Sequence, residues 1–267
     1  MAIELAPGSG TASSGKARGT RLIEFEGVVA GYTPSLTILN ELTLDAREGE
    51  ITLLIGPNGA GKSTVLRTLF GLLRPRAGEI RLAGKAIGGK SPRELLASGM
   101  AFVPQGRNLF GSLSVLHNLE LGGITLTRGL LPRRIEEVLT RFPRLRERLD
   151  NQASTLSGGE QKQLEIGRAL LLQPRILLID EPSIGLSPKI TGEVLQLLRQ
   201  LAAGGTTVLM VEQNVRSGLK IADRALALDM GRLAIDRPAA ELLQDPNLNR
   251  LFLGSGAHAA ATGTGTR

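Results

Sequence analysis

The sequence predicts an α/β domain built around a parallel sheet, and three segments carry that prediction. An apolar, β-branched run at 51–55 is followed by a glycine-rich loop and then by apolar residues at helical spacing. A second apolar run, at 176–179, ends in two adjacent acids, and a third lies at 206–211. Strands that alternate with helices favour a parallel sheet, and ligands bind beyond the carboxyl ends of its strands.

The composition agrees with one such domain. The chain has 267 residues, of which 42% are hydrophobic, so it can bury the core of one domain with a smaller helical subdomain. It has no cysteine and only two histidines, which excludes disulfides, thiolate metal sites and a histidine-rich metal site. We expect flexible tails at 1–20 and 255–267, on either side of a domain at 21–254.

The chain is basic, with a net charge of +7 and a pI near 10.3. Such a charge suits nucleic acid, an anionic membrane surface, or no specific partner. Aromatic residues make up only 3% of the chain and do not alternate with the basic ones, so bases would find few stacking platforms. We therefore expect no nucleic-acid partner, and the other two explanations stay open.

Several elements flank the parallel strands. Runs at 22–30 and 37–46 predict antiparallel strands, and 79–83 predicts a third. Residues 107–160 hold mainly helical patterns, which predicts an inserted helical subdomain. Apolar residues along 188–203 recur on one helical face, so this helix is expected to pack on the sheet.

The glycine-rich loop has the pattern of a phosphate-binding loop, which predicts the P-loop NTPase class of α/β fold. Its glycines let backbone N–H groups turn inward around phosphate oxygens, and the helix that follows adds a partial positive charge. Lys62 can reach the β- and γ-phosphates of a nucleotide, and the Ser63 hydroxyl can bind Mg²⁺. The predicted nucleotide contacts are Gly56, Pro57, Asn58, Gly59, Ala60, Gly61, Lys62, Ser63 and Thr64.

Two acids follow the strand at 176–179. Asp180 is expected to bind Mg²⁺, directly or through water, and Glu181 to polarise the attacking water. Because side chains alternate between the faces of a strand, the two acids cannot play the same part. Oxygen ligands make Mg²⁺ the metal that this sequence supports.

A second glycine turn opens a helix at 156–161. Ser157 is expected to cap that helix, and Gly158 and Gly159 leave its backbone N–H groups accessible to an anion. Glu160 completes the motif. This is a second anion site without a second lysine.

The order of phosphate loop, Leu-Ser-Gly-Gly-Glu signature and Leu-Leu-Ile-Asp-Glu-Pro strand resembles the nucleotide-binding subunit of an ABC transporter, over about residues 21–254. The resemblance implies an antiparallel β subdomain and a signature-bearing helical insert. It also implies that Ser157, Gly158, Gly159 and Glu160 close on ATP held by a second ABC ATPase subunit. Transmembrane permease subunits would be further partners, and the chain would lie at the cytoplasmic face of the inner membrane as a peripheral subunit.

Two more residues match the family pattern. Tyr32, the only tyrosine, stands where the family places an aromatic residue that stacks on adenine. Gln105 matches the glutamine that senses Mg²⁺ and the γ-phosphate, and its neutral amide can bind a metal without adding charge. We expect coupling to the membrane subunits to run through the segment that follows, at about 106–118.

The sequence departs from the family pattern at two positions. Gln213 stands where the family usually presents a histidine that touches the γ-phosphate, and Ser187 stands where many relatives carry aspartate. Glutamine can donate a hydrogen bond but cannot become a cation. Since Lys62 and Glu181 are present and Gln213 keeps a donor, we expect these three residues to support ATP hydrolysis.

Longer phrases narrow the resemblance. The segments at 103–110, 156–170, 181–188 and 211–214 resemble the histidine-less ATPase of branched-chain amino acid importers. An extracytoplasmic solute-binding protein would then be an indirect partner. ATPases of urea-type or amide-type importers, and of ABC exporters, are the alternatives, and a homodimer and a heterodimer are both compatible with the sequence.

Overall fold

The computed structural model describes residues 19–106 and 108–246. Within them the strands are β1 (Arg21–Ala30), β2 (Leu39–Arg47), β3 (Ile51–Ile55), β4 (Ala77–Leu82), β5 (Lys85–Ala86), β6 (Met100–Val103), β7 (Ile176–Asp180), β8 (Thr207–Val211), β9 (Arg224–Asp229) and β10 (Arg232–Pro238). The helices are α1 (Lys62–Leu69), α2 (Pro92–Ala97), α3 (Val115–Gly122), α4 (Leu131–Arg141), α5 (Pro143–Arg146), α6 (Gly158–Leu170), α7 (Pro188–Ala203), α8 (Val215–Ile221) and α9 (Ala239–Gln244). The predicted tails at 1–20 and 255–267, apart from residues 19 and 20, lie outside the described residues.

The larger sheet has the strand order β10-β9-β3-β8-β7-β6. Its strands from β9 to β6 are parallel, and β10 pairs antiparallel with β9 at one edge. The three apolar runs that predicted the sheet are β3, β7 and β8, which lie next to one another. Their carboxyl ends therefore meet at one edge of the sheet, where a ligand site is expected.

Both faces of this sheet are covered at its central strands β3, β7 and β8, whose residues are all buried. Leu53 and Leu177 face a core that includes side chains of α3, α4, α6 and α7. Their neighbours Leu54 and Leu178 face a second core, which includes side chains of α1 and of the smaller sheet. This alternation explains why β3 and β7 are largely apolar on both faces.

The smaller sheet is antiparallel, with the order β2-β1-β4-β5. Its first three strands confirm the predicted antiparallel runs, with bounds that differ by one or two residues. Arg224, whose side chain is 8% exposed, connects the two sheets. It donates to Asp45 Oδ2 at 2.8 Å and to Asp236 Oδ1 at 2.6 Å. Burial works against its charge, but these carboxylates raise the pKa of Arg224 overall.

Residues 108–160 contain α3, α4, α5 and the first turn of α6. The predicted helix at 188–203 is confirmed as α7. The sequence pattern predicts no strand at β6, β9 or β10, so the larger sheet has three more strands than expected. In the part of the chain that the structure describes, no helix is long and apolar enough to span a membrane.

Candidate functional site

The glycine-rich loop leaves the carboxyl end of β3 and enters α1, which begins at Lys62. Gly56 has a φ of +145°, and a Cβ there would lie 2.3 Å from the carbonyl oxygen of Leu228 in β9. Gly61, directly before α1, has a φ of +101°. Both positions therefore require glycine, and the turn that they allow leads directly into the N-terminus of α1, where a phosphate is expected to bind.

The other predicted loop contacts divide by exposure. Pro57, Asn58 and Gly59 are exposed along the loop, whereas Ala60 and Thr64 are buried. The Ala60 methyl belongs to the core beside the smaller sheet. Backbone groups, not side chains, are thus what Ala60 and Thr64 can offer a phosphate.

Lys62 folds back across the loop. Its Nζ donates to the carbonyl oxygens of Gly56 and Pro57, each at 2.9 Å. Partial burial lowers the pKa of Lys62, and the nearby carboxylates of Glu181 and Asp180 oppose that shift. The ammonium group therefore lies inside the loop with carbonyl partners that phosphate oxygens can replace.

Ser63 and Asp180 meet although 117 residues separate them. Asp180 ends β7, is 1% exposed, and accepts a hydrogen bond from Ser63 Oγ at 3.1 Å through Oδ1. Its other oxygen, Oδ2, is buried and has no hydrogen-bond partner in residues 19–106 and 108–246. Burial raises the pKa of Asp180. A hydroxyl beside an unpaired carboxylate oxygen is a donor set that fits Mg²⁺.

Glu181 follows Asp180 in a left-handed conformation, with a φ of +49°. Its N–H donates to the carbonyl of Val211 in β8, which fixes this turn, and its Oε2 accepts from Gln105 Nε2 at 2.7 Å. Burial first, and then the charge of Asp180, raise the pKa of Glu181. A non-glycine residue held at positive φ is a strained position of the kind that clusters at functional sites.

The segment after β8 contains a residue that sequence analysis did not assign. Glu212 is 1% exposed, and its Oε1 accepts from Ser183 Oγ at 2.6 Å and from the Asn214 N–H at 3.0 Å. It thereby connects the loop after Glu181 to the loop that carries Gln213, whose side chain is exposed. A glutamate directly after a buried strand was the available signal, but its burial could not be predicted from sequence.

Tyr32 is 47% exposed, so its ring is accessible. The Arg67 guanidinium lies 5.9 Å from the ring centroid and donates to the Tyr32 hydroxyl at 3.2 Å. Arg67 is on α1, the helix that begins in the phosphate loop. The ring is thus attached to the loop and available for stacking, and Arg67 is a supporting residue that sequence analysis missed.

The second glycine turn begins α6 with a capping box. Ser157 Oγ accepts from the Glu160 N–H at 3.4 Å, and the Glu160 carboxylate accepts from the Ser157 N–H at 2.9 Å. A Cβ on Gly159 would lie 2.7 Å from Ile190 of α7, whereas one on Gly158 would meet only Leu186, at 3.5 Å. Packing therefore explains the glycine at 159 but not the one at 158.

The motif is exposed and separate from the chain's own phosphate loop. Ser157 and Gly158 lie at the surface, and in the described residues no hydrogen bond joins the turn to the loop. The fold and the site together define an ATPase with a phosphate loop, an acidic strand end and a second, outward-facing anion site.

The chain belongs to the ABC transporter family, whose model matches residues 39–184. It binds nucleotide and hydrolyses ATP, as the ATP-binding cassettes of that family do. Such subunits dimerise and work with transmembrane permeases.

Two relatives and one solved structure show the similarity in detail. The chain is 41% identical to the high-affinity branched-chain amino acid transport ATP-binding protein BraG of Pseudomonas aeruginosa, over 85% of this chain and 97% of the relative. It is 38% identical to a probable branched-chain amino acid transport ATP-binding protein, LivF, of Archaeoglobus fulgidus, over 84% and 95%. The ADP conformation of an ATP-binding cassette superposes with a TM-score of 0.79 at 27% identity, over 88% and 99%.

Proposed function

We propose that this chain is the ATP-hydrolysing subunit of an importer for branched-chain amino acids, peripheral on the cytoplasmic face of the inner membrane. The relatives named for branched-chain amino acid transport match it over nearly their whole length, which supports the solute class. The observation that carries the catalytic part is the meeting of Ser63, Asp180 and the Gln105–Glu181 pair beside one phosphate loop.

ATP would be held in three ways. The backbone of the loop from Gly56 to Thr64 would surround the phosphates, and Lys62 Nζ would exchange its carbonyl partners for β- and γ-phosphate oxygens. The exposed Tyr32 ring, supported by Arg67, would stack on the adenine.

Mg²⁺ would be held by the Ser63 hydroxyl and the unpaired oxygen of Asp180, with Gln105 able to add its amide oxygen. The metal, when bound, neutralises charge that develops on the β- and γ-phosphates. The buried position of Asp180 favours this exchange, because a buried carboxylate oxygen without a partner is costly until a cation satisfies it.

Glu181 would act on the attacking water. Its carboxylate lies beside the loop, and the raised pKa gives it a proton affinity above that of an ordinary glutamate. The Gln105 amide fixes the position of that carboxylate. Gln213 would donate one hydrogen bond to the γ-phosphate, where an imidazolium is not available.

The second half of each site would come from another subunit. Ser157, Gly158, Gly159 and Glu160 lie outside the chain's own loop, and Gly158 leaves space that internal packing does not use. We therefore infer that they close on the γ-phosphate of ATP held by a second ABC ATPase, either a like chain or a histidine-bearing relative. Hydrolysis would then reopen the dimer.

The membrane subunits would dock beside the segment that begins at Gln105 and leads into the helical subdomain. A cavity of about 290 Å³ lies between this segment and the helical subdomain, with the apolar side chains of Phe102, Leu121 and Ile124 in its lining. Ile124 is 75% exposed, and the nearby Phe110 is 51% exposed. Apolar surface of this kind marks a protein interface. Through the permease, the chain would act indirectly with an extracytoplasmic solute-binding protein.

Uptake in membrane vesicles tests the proposal. The full chain is assembled with its membrane subunits and binding protein, and entry of radiolabelled leucine is measured with ATP inside the vesicles. We expect uptake that disappears when the chain is omitted or carries Glu181→Gln. ATP-dependent uptake of urea or a short amide in place of leucine, or export of a solute, would identify one of the alternative transporters and overturn the branched-chain assignment.

A further inference from the structure

Asn108 closes the turn that carries Gln105. Its side-chain Nδ2 donates to the Pro104 carbonyl at 3.0 Å and to the Gly106 carbonyl at 3.1 Å. The two carbonyls lie on either side of Gln105, so one amide fixes the backbone around the residue that bonds Glu181. A side-chain amide that hydrogen-bonds to nearby backbone carbonyls rigidifies a loop that lacks the regular backbone hydrogen bonds of a helix or a sheet.

The backbone of Asn108 is held by the signature helix α6. Its N–H donates to Glu165 Oε1 at 2.9 Å, and its carbonyl accepts from Arg168 Nη1 at 2.7 Å. Because Glu165 and Arg168 are three residues apart, they lie on one face of α6 and hold both ends of one residue. Charge-assisted hydrogen bonds of this length are about twice as strong as neutral ones.

Glu165 is buried, with a side chain 4% exposed, and it pairs with Lys162 Nζ at 2.5 Å, also on α6 and 7% exposed. A buried ion pair contributes little net stability, because desolvation offsets the attraction. The pair nevertheless fixes the Glu165 carboxylate so that its other oxygen faces the Asn108 N–H. The Lys162–Glu165 pair therefore matters for where it places the Glu165 carboxylate and not for its contribution to stability.

The segment is also fixed on its far side. Asn118, which is fully buried on α3, accepts from the Phe110 N–H at 3.0 Å and donates to the Phe110 carbonyl at 3.0 Å. The Arg168 guanidinium lies 5.3 Å from the Phe110 ring centroid. Residues 108–110 are therefore attached to the helical subdomain through α3 and α6.

We propose that Glu165 and Arg168 are positioning residues that join the Gln105 turn to α6, with Asn108 as the joint. When Gln105 is displaced by the phosphates bound in its own subunit, the contacts of Asn108 move α6 with it. The first turn of α6, at Ser157, is the part that contacts ATP on the other subunit. This inference rests on the dimeric ATPase proposed above. It adds the residues through which nucleotide binding at one site changes the position of the signature turn at the other.

Two double variants separate the joint from the ion pair. Lys162→Met with Glu165→Ala removes the pair and the acceptor for Asn108. Lys162→Met with Glu165→Gln removes both charges but keeps a side-chain oxygen for the Asn108 N–H. Both are made in the full chain carrying Glu181→Gln, which is expected to stay closed on ATP. Glu136→Gln, at an exposed pair with Arg146, is the matched control.

Dimerisation with ATP is followed by sedimentation, nucleotide affinity with a fluorescent ATP analogue, and folding by thermal unfolding. We expect the alanine variant to bind nucleotide normally but to dimerise about 10-fold more weakly, within the usual range of coupling between sites. The glutamine variant and the control are expected to dimerise like the Glu181→Gln parent.

Three results overturn the inference. Equal dimerisation of the alanine variant and the parent would show that the joint transmits nothing. A loss of nucleotide affinity or of thermal stability that accounts for the weaker dimer would assign the pair to general folding. Failure of the glutamine variant alongside the alanine variant would assign the effect to charge. If the parent itself stays monomeric with ATP, the proposed dimeric function fails first, which the parent's own trace reveals.

Discussion

Replacing Glu181 with glutamine removes one charge and changes little else. The side chain keeps its length, and its amide oxygen can still accept the hydrogen bond that Gln105 Nε2 donates at 2.7 Å. The strained turn is held by the Glu181 N–H on Val211, which the substitution does not touch. What is lost is the ability to take a proton from the attacking water.

The size of the effect follows from that single loss. A positioned general base contributes about 10²- to 10⁴-fold to a rate, which corresponds to about 3 to 5 kcal/mol of barrier. Binding of ATP is not expected to weaken, because the substitution removes a negative charge beside Asp180 and the incoming phosphates. We therefore expect kcat to fall at least about 100-fold while nucleotide affinity is equal or tighter.

Steady-state hydrolysis by the chain in its transporter gives kcat, and a fluorescent ATP analogue gives affinity, with Glu136→Gln as the control. A Glu181→Gln chain that turns over at the normal rate would refute the assignment of the base.

The assignment of Glu181 as the base also predicts how kcat falls at low pH. Hydrolysis requires the deprotonated carboxylate, so activity is lost as pH falls through the pKa of Glu181. Because burial raises that pKa above the ordinary 4.5, the loss occurs at higher pH than for an exposed glutamate.

Three further predictions concern metal, packing and stability. Ser63→Ala is expected to raise the Mg²⁺ concentration needed for half-maximal hydrolysis, measured by titration, because it removes one predicted ligand. Gly159→Ala is expected to destabilise the fold by about 1 to 3 kcal/mol in urea unfolding through overpacking, whereas Gly158→Ala keeps the fold and weakens only ATP-driven dimerisation. Arg224→Met removes the main partner of the partly buried Asp45 and leaves it only Arg47, at 3.6 Å, so it is expected to lower the free energy of unfolding by about 3 kcal/mol; an unchanged urea midpoint would contradict this role.

The elements that sequence predicted well are those whose pattern is local. The runs that became β3, β7 and β8 are largely apolar because both faces are covered, and each is followed by its functional loop. In contrast, β9 begins with the charged Arg224 and β10 has largely exposed residues, so their patterns are weak. What makes them strands is pairing with β3 and with each other, which is not encoded locally.

The same distinction holds for the site. The positions of Lys62, Ser63 and Asp180 at a helix start and a strand end were predictable because the motif itself specifies them, whereas their roles stay predictions. The burial of Glu212 and the attachment of Asn108 to Glu165 depend on side chains brought together by tertiary packing. No spacing rule predicts a contact across 57 residues.

Matched capping boxes allow a direct measurement of whether the signature turn completes an ATP site on another subunit. Ser157 on α6 and Ser91 on α2 make the same capping hydrogen bonds, with Glu160 and Glu94 respectively. Sedimentation of the Glu181→Gln chain with and without ATP is compared for Ser157→Ala and Ser91→Ala, which lose equivalent caps. We expect an ATP-dependent dimer that Ser91→Ala retains and Ser157→Ala weakens, with nucleotide affinity unchanged in both. A dimer equally strong in both variants would show that the signature turn completes no site on another subunit.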